Sequence, residues 1–207
     1  MQETRSITGI SLKSLHRMEM IDYRDRLADG NFDLIIADIP WSYGTKTGTV
    51  RSSTLVSYNT FTDYVPMFEA FYDALNDDRN LWVWTDGYNL PKLLKTANDT
   101  GFTFRDLCVM KRRNLGLGYL IRKQVYFLPL FSKGKAYKNK RGWLSEYLGE
   151  YQITRSKKPQ AVYEAIKKHS LPPNGRFIDP FPDSHTSTRK INGIEMSVPS
   201  LWSVNDE

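Results

Sequence analysis

The stretch Phe32-Asp-Leu-Ile-Ile-Ala-Asp-Ile-Pro-Trp41 decides the fold of this chain. Its four consecutive apolar residues, Leu34 to Ala37, predict a strand that is buried on both faces, as in a parallel sheet. Pro40 cannot donate a hydrogen bond to a sheet and makes the residue before it extended, so the strand ends there. A carboxylate and a large aromatic residue then follow the carboxyl end of a parallel strand, where open α/β sheets bind ligands. The alternative is that Trp41 only covers the core.

Length and composition limit the class of protein. The 207 residues predict a single domain, 1–207, and the hydrophobic fraction of 40% is ordinary for a globular protein. The single cysteine, Cys108, excludes an intramolecular disulfide and is expected to be buried. No apolar run approaches the roughly 20 residues of a membrane span, and Met1-Gln-Glu-Thr4 lacks a signal-peptide pattern. We therefore expect a cytoplasmic protein without a membrane partner.

The order of the predicted elements favours an α/β fold with a mostly parallel sheet. Apolar residues near 18–21 predict a strand that ends at Asp22, and the Gly-, Ser- and Thr-rich residues 42–53 predict a loop beside the candidate site. The further predicted elements are a helix from Thr62 to about Leu75, strands over Leu81–Thr85, Phe102–Met110, Val125–Phe131, Arg176–Phe181 and Ile191–Glu195, and helices over Tyr88–Asn98 and from Lys158-Pro159 onward.

The segment 111–141 concentrates positive charge in a chain whose net charge is +6. Such a density of basic residues, interleaved with aromatic ones, is typical of nucleic-acid binding. The alternative is a solvated basic surface with one core strand, which would explain most of the aromatics. The basic residues are Lys111, Arg112, Arg113, Arg122, Lys123, Lys133, Lys135, Lys138, Lys140 and Arg141, and the aromatic ones are Tyr119, Tyr126, Phe127, Phe131 and Tyr137.

Two further strand ends carry acids. Asp179 follows one predicted strand, and Glu195 ends the next, where nucleotide-binding folds hold ribose hydroxyls. His185 lies in the turn between them. A lone histidine is more often a structural hydrogen-bonding residue, and no second His or Cys stands near it at metal spacing, so we predict no metal site.

These motifs, in this order, resemble the β-class adenine-N6 methyltransferases. The similar branch is the family that includes the catalytic subunit of the eukaryotic mRNA adenosine methyltransferase and its compact phage and bacterial relatives. Asp38-Ile-Pro-Trp41 resembles the family's Asp-Pro-Pro-Trp catalytic motif, and Asp179-Pro-Phe181 resembles the start of its cofactor loop. The resemblance covers roughly residues 17–196 and implies a Rossmann-like methyltransferase fold with S-adenosyl-L-methionine as the cofactor.

The resemblance also implies roles for individual residues. Asp38 and a backbone carbonyl of Ile39 or Pro40 would accept the N–H bonds of the adenine amine, and Trp41, helped by Tyr43, would stack on the flipped base. Lys158 would pair with the methionine carboxylate of the cofactor and Glu195 with its ribose, and Asp22 is a candidate for its adenine ring. Ser184, His185 and Thr186 would line the cofactor loop, and Asp38, Asp179 and Phe181 are further candidate cofactor-binding residues. The substrate-binding residues would be Tyr43, Lys46, Lys111, Arg112, Arg113, Tyr119, Arg122 and Lys123.

The chain departs from the family pattern at three places. Ile39 replaces the usual proline, and Tyr126 stands where many relatives carry an acid. The loop Phe181-Pro-Asp-Ser-His-Thr186 lacks both glycines of the β-class loop, as it does in the mRNA-methyltransferase branch.

We expect DNA rather than RNA as the substrate, with a homodimer or a partner subunit as an open possibility. The alternatives are a catalytically silent homologue that binds nucleic acid or a partner subunit, and methylation of cytosine N4.

Overall fold

The computed structural model describes residues 23–39, 64–116, 120–140, 142–151 and 158–181. Six strands form one sheet: β1 (Phe32–Ala37), β2 (Leu75–Val83), β3 (Thr103–Arg112), β4 (Val125–Lys133), β5 (Tyr147–Tyr151) and β6 (Phe177–Ile178). The helices are α1 (Val65–Ala74), α2 (Leu90–Asp99) and α3 (Gln160–Ser170), and residues 23–27 form a further helical segment.

The strand order in the sheet is β5-β3-β4-β2-β1-β6. β1 pairs in parallel with both β2 and β6, and β3 pairs in parallel with β5, whereas β4 is antiparallel to its neighbours β2 and β3. Five of these strands therefore point in one direction and β4 points in the other, which confirms the predicted mostly parallel sheet. The carboxyl ends of the five lie along one edge, called the carboxyl edge below, and the opposite edge is the amino edge.

Both faces of β1 are covered, as its sequence predicts. Ile35 and Ala37 belong to a core cluster that includes Phe68 and Phe71 of α1, while Leu34 and Ile36 belong to a second cluster on the other face. The second cluster includes Val162, Tyr163 and Ile166 of α3. Burying each large apolar side chain contributes roughly 1.5–3 kcal/mol. The alternating side chains of a strand covered by helices on both sides fix its register.

Two strands differ most from the predicted elements: β5 was not predicted, and β2 begins earlier than predicted. This strand begins at Leu75, where we predicted the end of a helix, and includes the polar residues Asn76 to Asn80 that precede the predicted strand start at Leu81. These polar residues lack the apolar pattern that predicts a strand, because ion pairs and hydrogen bonds rather than apolar contacts hold them in the sheet. For example, Arg79 Nε lies 2.8 Å from Asp33 Oδ1. β6 is also shorter than predicted.

Cys108 is buried in β3, as expected. Burial, together with the carboxylates of Asp106 and Glu146, raises the pKa of its thiol to about 11. The thiol is therefore protonated at neutral pH, which is typical of a structural cysteine.

Candidate active site

Three neighbouring strands deliver polar groups to the carboxyl edge. Asp38 follows β1 at the centre, Trp84 follows β2 on one side, and Asp179 follows β6 on the other. The pairing continues past the strands, because the Trp84 backbone N–H donates to the Ala37 carbonyl at 2.9 Å. The sheet itself therefore fixes the backbone positions of all three residues.

Asp38 forms an ion pair with Lys158, a residue 120 positions away in the chain. Lys158 Nζ lies 2.5 Å from Asp38 Oδ2, and the exposed fractions of the two side chains are 6% and 22%. Lys158 stands just before Pro159, whose extended backbone begins α3. The structure thus brings together the predicted catalytic acid and the predicted cofactor-binding lysine. Two opposite charges in so little water interact more strongly than an exposed pair.

Aromatic rings complete the surroundings of the Lys158 ammonium group. Its Nζ lies 5.1 Å from the ring centroid of Tyr126 and 5.4 Å from that of Trp84. These two rings contact each other edge to face, with centroids 6.3 Å apart. A cation near aromatic rings and a carboxylate is stabilised where water is scarce. The position of Tyr126, where many relatives carry an acid, is therefore filled by a ring beside the lysine.

Trp84 brings a buried hydrogen-bond donor into this cluster. Its side chain is fully buried, and its Nε1 has no hydrogen-bond partner among the described residues. Leaving such a donor unsatisfied costs about 1–3 kcal/mol, so an orphan N–H needs an explanation. An acceptor on a bound ligand would satisfy it.

Asp179 is held by the residues around it. Tyr163 Oη donates to Asp179 Oδ2 at 3.2 Å, and the Phe181 backbone N–H donates to Asp179 Oδ1 at 3.0 Å. Phe181 packs against Tyr23 and Phe71, with ring centroids 5.5 and 6.4 Å away. The start of the predicted cofactor loop is therefore anchored to the core on one side and to α3 on the other.

A third carboxylate at this edge, Asp86, has a structural environment. Its Oδ1 accepts from the backbone N–H groups of Tyr88 and Asn89, which stabilises the start of α2, and Lys123 Nζ lies 2.5 Å from its Oδ2. Lys123, a predicted substrate-binding residue, is thus tied to the end of β2.

The predicted basic segment does not form one surface. Because β4 traverses the sheet, Lys111, Arg112, Arg113, Arg122 and Lys123 lie near the carboxyl edge, while Lys133 and the residues after it start from the amino edge. The nine residues of β4 separate the two groups by roughly 30 Å. All five described substrate candidates therefore share the edge that carries Asp38.

The five differ in their surroundings. Lys111 Nζ lies 3.3 Å from Glu150 Oε2, so the acid-free segment meets acids from elsewhere in the fold. The guanidinium of Arg112 lies 5.6 Å from the Tyr126 ring centroid, and its Nε is buried without a hydrogen-bond partner in the described part of the chain. Arg113 and Arg122 are exposed to solvent.

Other predicted site residues lie outside the described residues. They are Asp22, Pro40, Trp41, Tyr43, Lys46, Tyr119, Ser184, His185, Thr186 and Glu195.

Sequence reasoning did not assign Trp84 or Tyr163 to the site. Both were expected only as parts of a strand and of the inner face of a helix. The available signal for Trp84 was its position at the carboxyl end of an apolar strand, the same position that marked Asp38. The bond from Tyr163 to Asp179 had no comparable signal, because only the packing of α3 on the sheet creates it.

The described residues show neither a metal site nor a membrane-spanning helix. No group of three or more His, Cys, Asp or Glu side chains there is placed to hold a metal ion. Within the same residues, no helix has the length and apolar character needed to cross a membrane.

Comparison with solved structures shows which fold this is. The M1.HpyAVI complex with S-adenosyl-L-methionine superposes with a TM-score of 0.56 at 15% identity, over 80% of this chain and 78% of that one. PvuII DNA methyltransferase, which is cytosine-N4-specific, gives 0.54 at 14% identity over 76% and 71%. The S-adenosyl-L-methionine complex of TTHA0409 from Thermus thermophilus gives 0.52 at 12% identity over 77% of each chain. The chain has the Rossmann-like methyltransferase fold.

At these identities the likeness shows the methyltransferase fold alone. No protein-family model matches the sequence, and none of the curated proteins matches it either. The Asp38–Lys158 pair lies at the carboxyl edge of this methyltransferase fold, where open α/β sheets bind their ligands.

Proposed function

We propose that this protein transfers a methyl group from S-adenosyl-L-methionine to the N6 amine of adenine in DNA. The observation that carries the proposal is the pair of Asp38 and Lys158, held 2.5 Å apart at the carboxyl edge of a methyltransferase fold. Two of the similar structures contain S-adenosyl-L-methionine, and one is a DNA methyltransferase, which supports the choice of cofactor and substrate class.

The residues at the edge fit this cofactor chemically. S-adenosyl-L-methionine carries a carboxylate, for which a lysine ammonium and an indole N–H are suitable partners, and Lys158 and the orphan Nε1 of Trp84 supply both. Asp179, fixed by Tyr163, would face its positively charged part. Ser184, His185, Thr186 and Glu195 would complete the cofactor site, with Asp22 near the adenine ring, as the resemblance implies.

The chain's own residues would act on the amine. An exocyclic amine is a weak nucleophile because its lone pair is delocalised into the ring. Asp38 would accept one N–H, and the Ile39 or Pro40 carbonyl the other, so that the lone pair turns toward the methyl group. When bound, the cofactor would supply that methyl group as a sulfonium electrophile and would leave as the neutral thioether, and Asp38 would accept the proton that the methylated amine loses. This is catalysis by orientation and electrostatics, and it needs no covalent enzyme intermediate.

Adenine N6 is proposed over cytosine N4 because of the residue at position 38. The N4 branch usually carries serine where this chain has Asp38. A carboxylate is a stronger acceptor than a hydroxyl for an amine N–H, and Trp41 offers a wide ring on which a flipped purine would stack. The cytosine-N4-specific neighbour makes N4 the outcome to test against.

DNA is proposed as the substrate, with RNA as the alternative. Arg113 and Arg122 are exposed at the carboxyl edge, where phosphates of either nucleic acid would bind. Tyr43, Lys46 and Tyr119 would contribute further contacts, as the resemblance implies. A homodimer or a partner subunit would be a further source of substrate contacts.

The proposal is tested by mass spectrometry of digested DNA and RNA from methylation-deficient bacteria that express the protein. We expect N6-methyladenine in the DNA pool and none in cells that express Asp38→Ala. N4-methylcytosine instead would correct the base, and N6-methyladenine in RNA alone would correct the polymer.

The matched control is Asp33→Asn, which changes the acid near the start of β1 and should leave the modified base in place. Absence of any methylated base in both pools, with folded protein in the cells, would overturn the proposal. It would favour the catalytically silent alternative, which binding assays with DNA would then examine.

A further inference from the structure

At the carboxyl edge, the described residues between β3 and β4, 113–116 and 120–124, expose large apolar side chains. Leu120 and Ile121 are 89% and 81% exposed, and Leu115 on the other arm of the loop is 64% exposed. Apolar side chains grouped on a surface indicate an interaction site, because exposing them to water is unfavourable. We call Leu115, Leu120 and Ile121 the apolar tip.

The base of this loop is fixed. The Gly116 N–H donates to the Lys123 carbonyl at 2.6 Å, and the Arg112 N–H donates to the Gln124 carbonyl at 2.8 Å. A Cβ atom at Gly116 would lie 2.8 Å from the Lys123 carbonyl oxygen, so the two arms approach too closely for any other residue. Lys123 is in turn bound to Asp86 at the end of β2. The apolar tip is therefore presented on a braced hairpin.

The charges around the tip identify the kind of partner. Arg113 and Arg122, both exposed, lie within two residues of these apolar side chains in the sequence. An apolar point between cationic side chains suits a nucleic-acid duplex, in which phosphates lie on either side of stacked bases. The carboxylate paired with Lys111 belongs to Glu150 of β5, and the one paired with Lys123 belongs to Asp86, which follows β2.

The base of the hairpin lies near Asp38 along the carboxyl edge. β4 and β1 are separated in the sheet only by β2, so the start of β4 is displaced from the end of β1 by two strand spacings, roughly 10 Å. This offset is close to the width of a DNA major groove, about 12 Å. One bound duplex can therefore touch the tip and place a nearby base at Asp38.

We infer that Leu120 and Ile121 form a wedge that enters the base stack of duplex DNA and holds open the space left by the flipped base. This inference rests on the proposed function, because the flipped base is the one presented to Asp38. Enzymes that modify a base inside a duplex must extrude it at an unstacking cost, and inserted leucine or isoleucine side chains lower that cost. A single-stranded substrate does not need the wedge.

The test compares native and heat-denatured genomic DNA from methylation-deficient bacteria as substrates for the purified chain. For Leu120→Ser/Ile121→Ser, we expect the methylation rate to fall at least about tenfold on native DNA and to stay within about twofold on denatured DNA. Leu120→Met/Ile121→Met should restore the native-DNA rate, because methionine also serves as an apolar wedge. Equal loss on both DNAs, or no loss on either, would overturn the inference.

Two control variants separate the wedge from neighbouring effects. Trp143→Ala removes an apolar side chain that is 82% exposed elsewhere on the surface and should leave the ratio of the two rates unchanged. Arg122→Ala removes a phosphate contact and should weaken binding to both DNAs alike. A monomer released from a dimer by the double serine variant, seen by light scattering, would show instead that the tip docks a second copy.

A second measurement needs no methyl transfer and so distinguishes the two proposals. Permanganate modifies thymines that are unpaired, and we expect it to modify the thymines left opposite flipped adenines in native DNA bound by the wild-type chain but not by the double serine variant. Such modification without any methylated base would uphold the wedge and reject the proposed activity. Methylation of native DNA that survives the serine substitutions would uphold the proposed activity and reject the wedge.

Discussion

The two edges of the sheet carry similar pairs of charges in different surroundings. At the amino edge, Asp33 of β1 accepts from Arg79 at 2.8 Å, from Asn76 at 3.2 Å and from the Arg176 backbone N–H at 2.9 Å. At the carboxyl edge, Asp38 follows the same strand and pairs with Lys158 at 2.5 Å. The exposed fractions of the two carboxylate side chains are close, 17% and 22%, so burial does not distinguish them.

The difference lies in the groups that surround each pair. The donors around Asp33 belong to the sheet and to the chain entering β6, and they hold the fold together. The Lys158 ammonium group instead stands beside the rings of Trp84 and Tyr126, next to an indole N–H without a partner among the described residues. Satisfied polar groups indicate structure, and unsatisfied ones in a cluster of charges indicate a ligand.

The largest expected effect comes from substituting, one at a time, the acids at the two ends of β1: Asp38, which follows the strand, and Asp33, near its start. Asp38→Asn should lower the methylation rate at least about a hundredfold, because it removes the charged acceptor for the amine. Asparagine retains an oxygen for Lys158, so the variant should fold. Rates with genomic DNA and circular dichroism of the same samples check both statements.

Asp33→Asn is the counterpart at the amino edge and should retain the wild-type rate below its unfolding temperature. A hundredfold loss in this variant would mean that the two edges are not functionally distinct.

The next effect separates two tryptophans, one within β2 and one directly after it. Trp82 Nε1 donates to Ser170 Oγ at 2.9 Å, whereas Trp84 Nε1 has no partner in the described part of the chain. Replacing either with phenylalanine removes the same volume. Trp82→Phe should therefore cost about 1 kcal/mol more of the free energy of unfolding than Trp84→Phe, since it alone breaks a hydrogen bond.

The affinity for S-adenosyl-L-methionine should show the opposite order. Trp84→Phe should weaken S-adenosyl-L-methionine binding about tenfold, because the ligand loses a buried donor, while Trp82→Phe leaves it unchanged. Urea unfolding and isothermal titration of the two variants supply the measurements. Equal cofactor affinities would show that the orphan N–H is not a ligand contact.

How far the sequence could predict this comparison depends on the distance between partners along the chain. The apolar run of β1 and the acid after it were sufficient to place Asp38 at the carboxyl edge. Trp82 and Trp84 look alike in sequence, and their difference comes from Ser170, which is 88 residues away from Trp82. The pairing of Asp38 with Lys158, 120 residues apart, likewise needs the packing of α3 against β1.

Counting charges along the segment 111–141 gave a wrong prediction of its surface for a related reason. It treated 111–141 as one basic surface because the segment contains no acid. It could not show that β4 carries the chain to the opposite edge of the sheet, or that Lys111 and Lys123 meet Glu150 and Asp86. Element types follow from local patterns, whereas the neighbours of a charge follow from topology.

A smaller effect concerns the pH dependence of stability at the amino edge. Burial raises the pKa of Asp33, but hydrogen bonds from Arg79, Arg176 and Asn76 outweigh it, so the pKa lies below its ordinary value of 3.8. The stabilisation is therefore present above pH 3.8 and is lost as the pH falls through the lowered pKa. Asp33→Asn should be less stable than the wild type by about 1 kcal/mol at pH 7.

The difference in the free energy of unfolding between the wild type and Asp33→Asn should shrink as the pH falls below 3.8, where the wild-type carboxylate becomes protonated. Urea unfolding at several pH values measures it. A difference that stays constant with pH would show that packing, rather than charge, accounts for the loss.

The smallest expected effect comes from His169, which lies at the end of α3 beside the Trp82–Ser170 hydrogen bond. Its Nδ1 lies 2.8 Å from Ser170 Oγ, and burial, followed by the positive charge of Lys138, lowers its pKa below 6.5 against the opposing effect of Asp106. The unfolded chain then binds a proton more readily than the folded one, so the wild type should lose stability as the pH falls from above 6.5 through the lowered pKa. His169→Asn should flatten this slope between about pH 7.5 and about pH 5.5 without changing the methylation rate, and thermal unfolding at both pH values would measure it. If the slope persists in the variant, another group must be titrating, and Asp33 cannot be that group because its lowered pKa places its titration below this pH range.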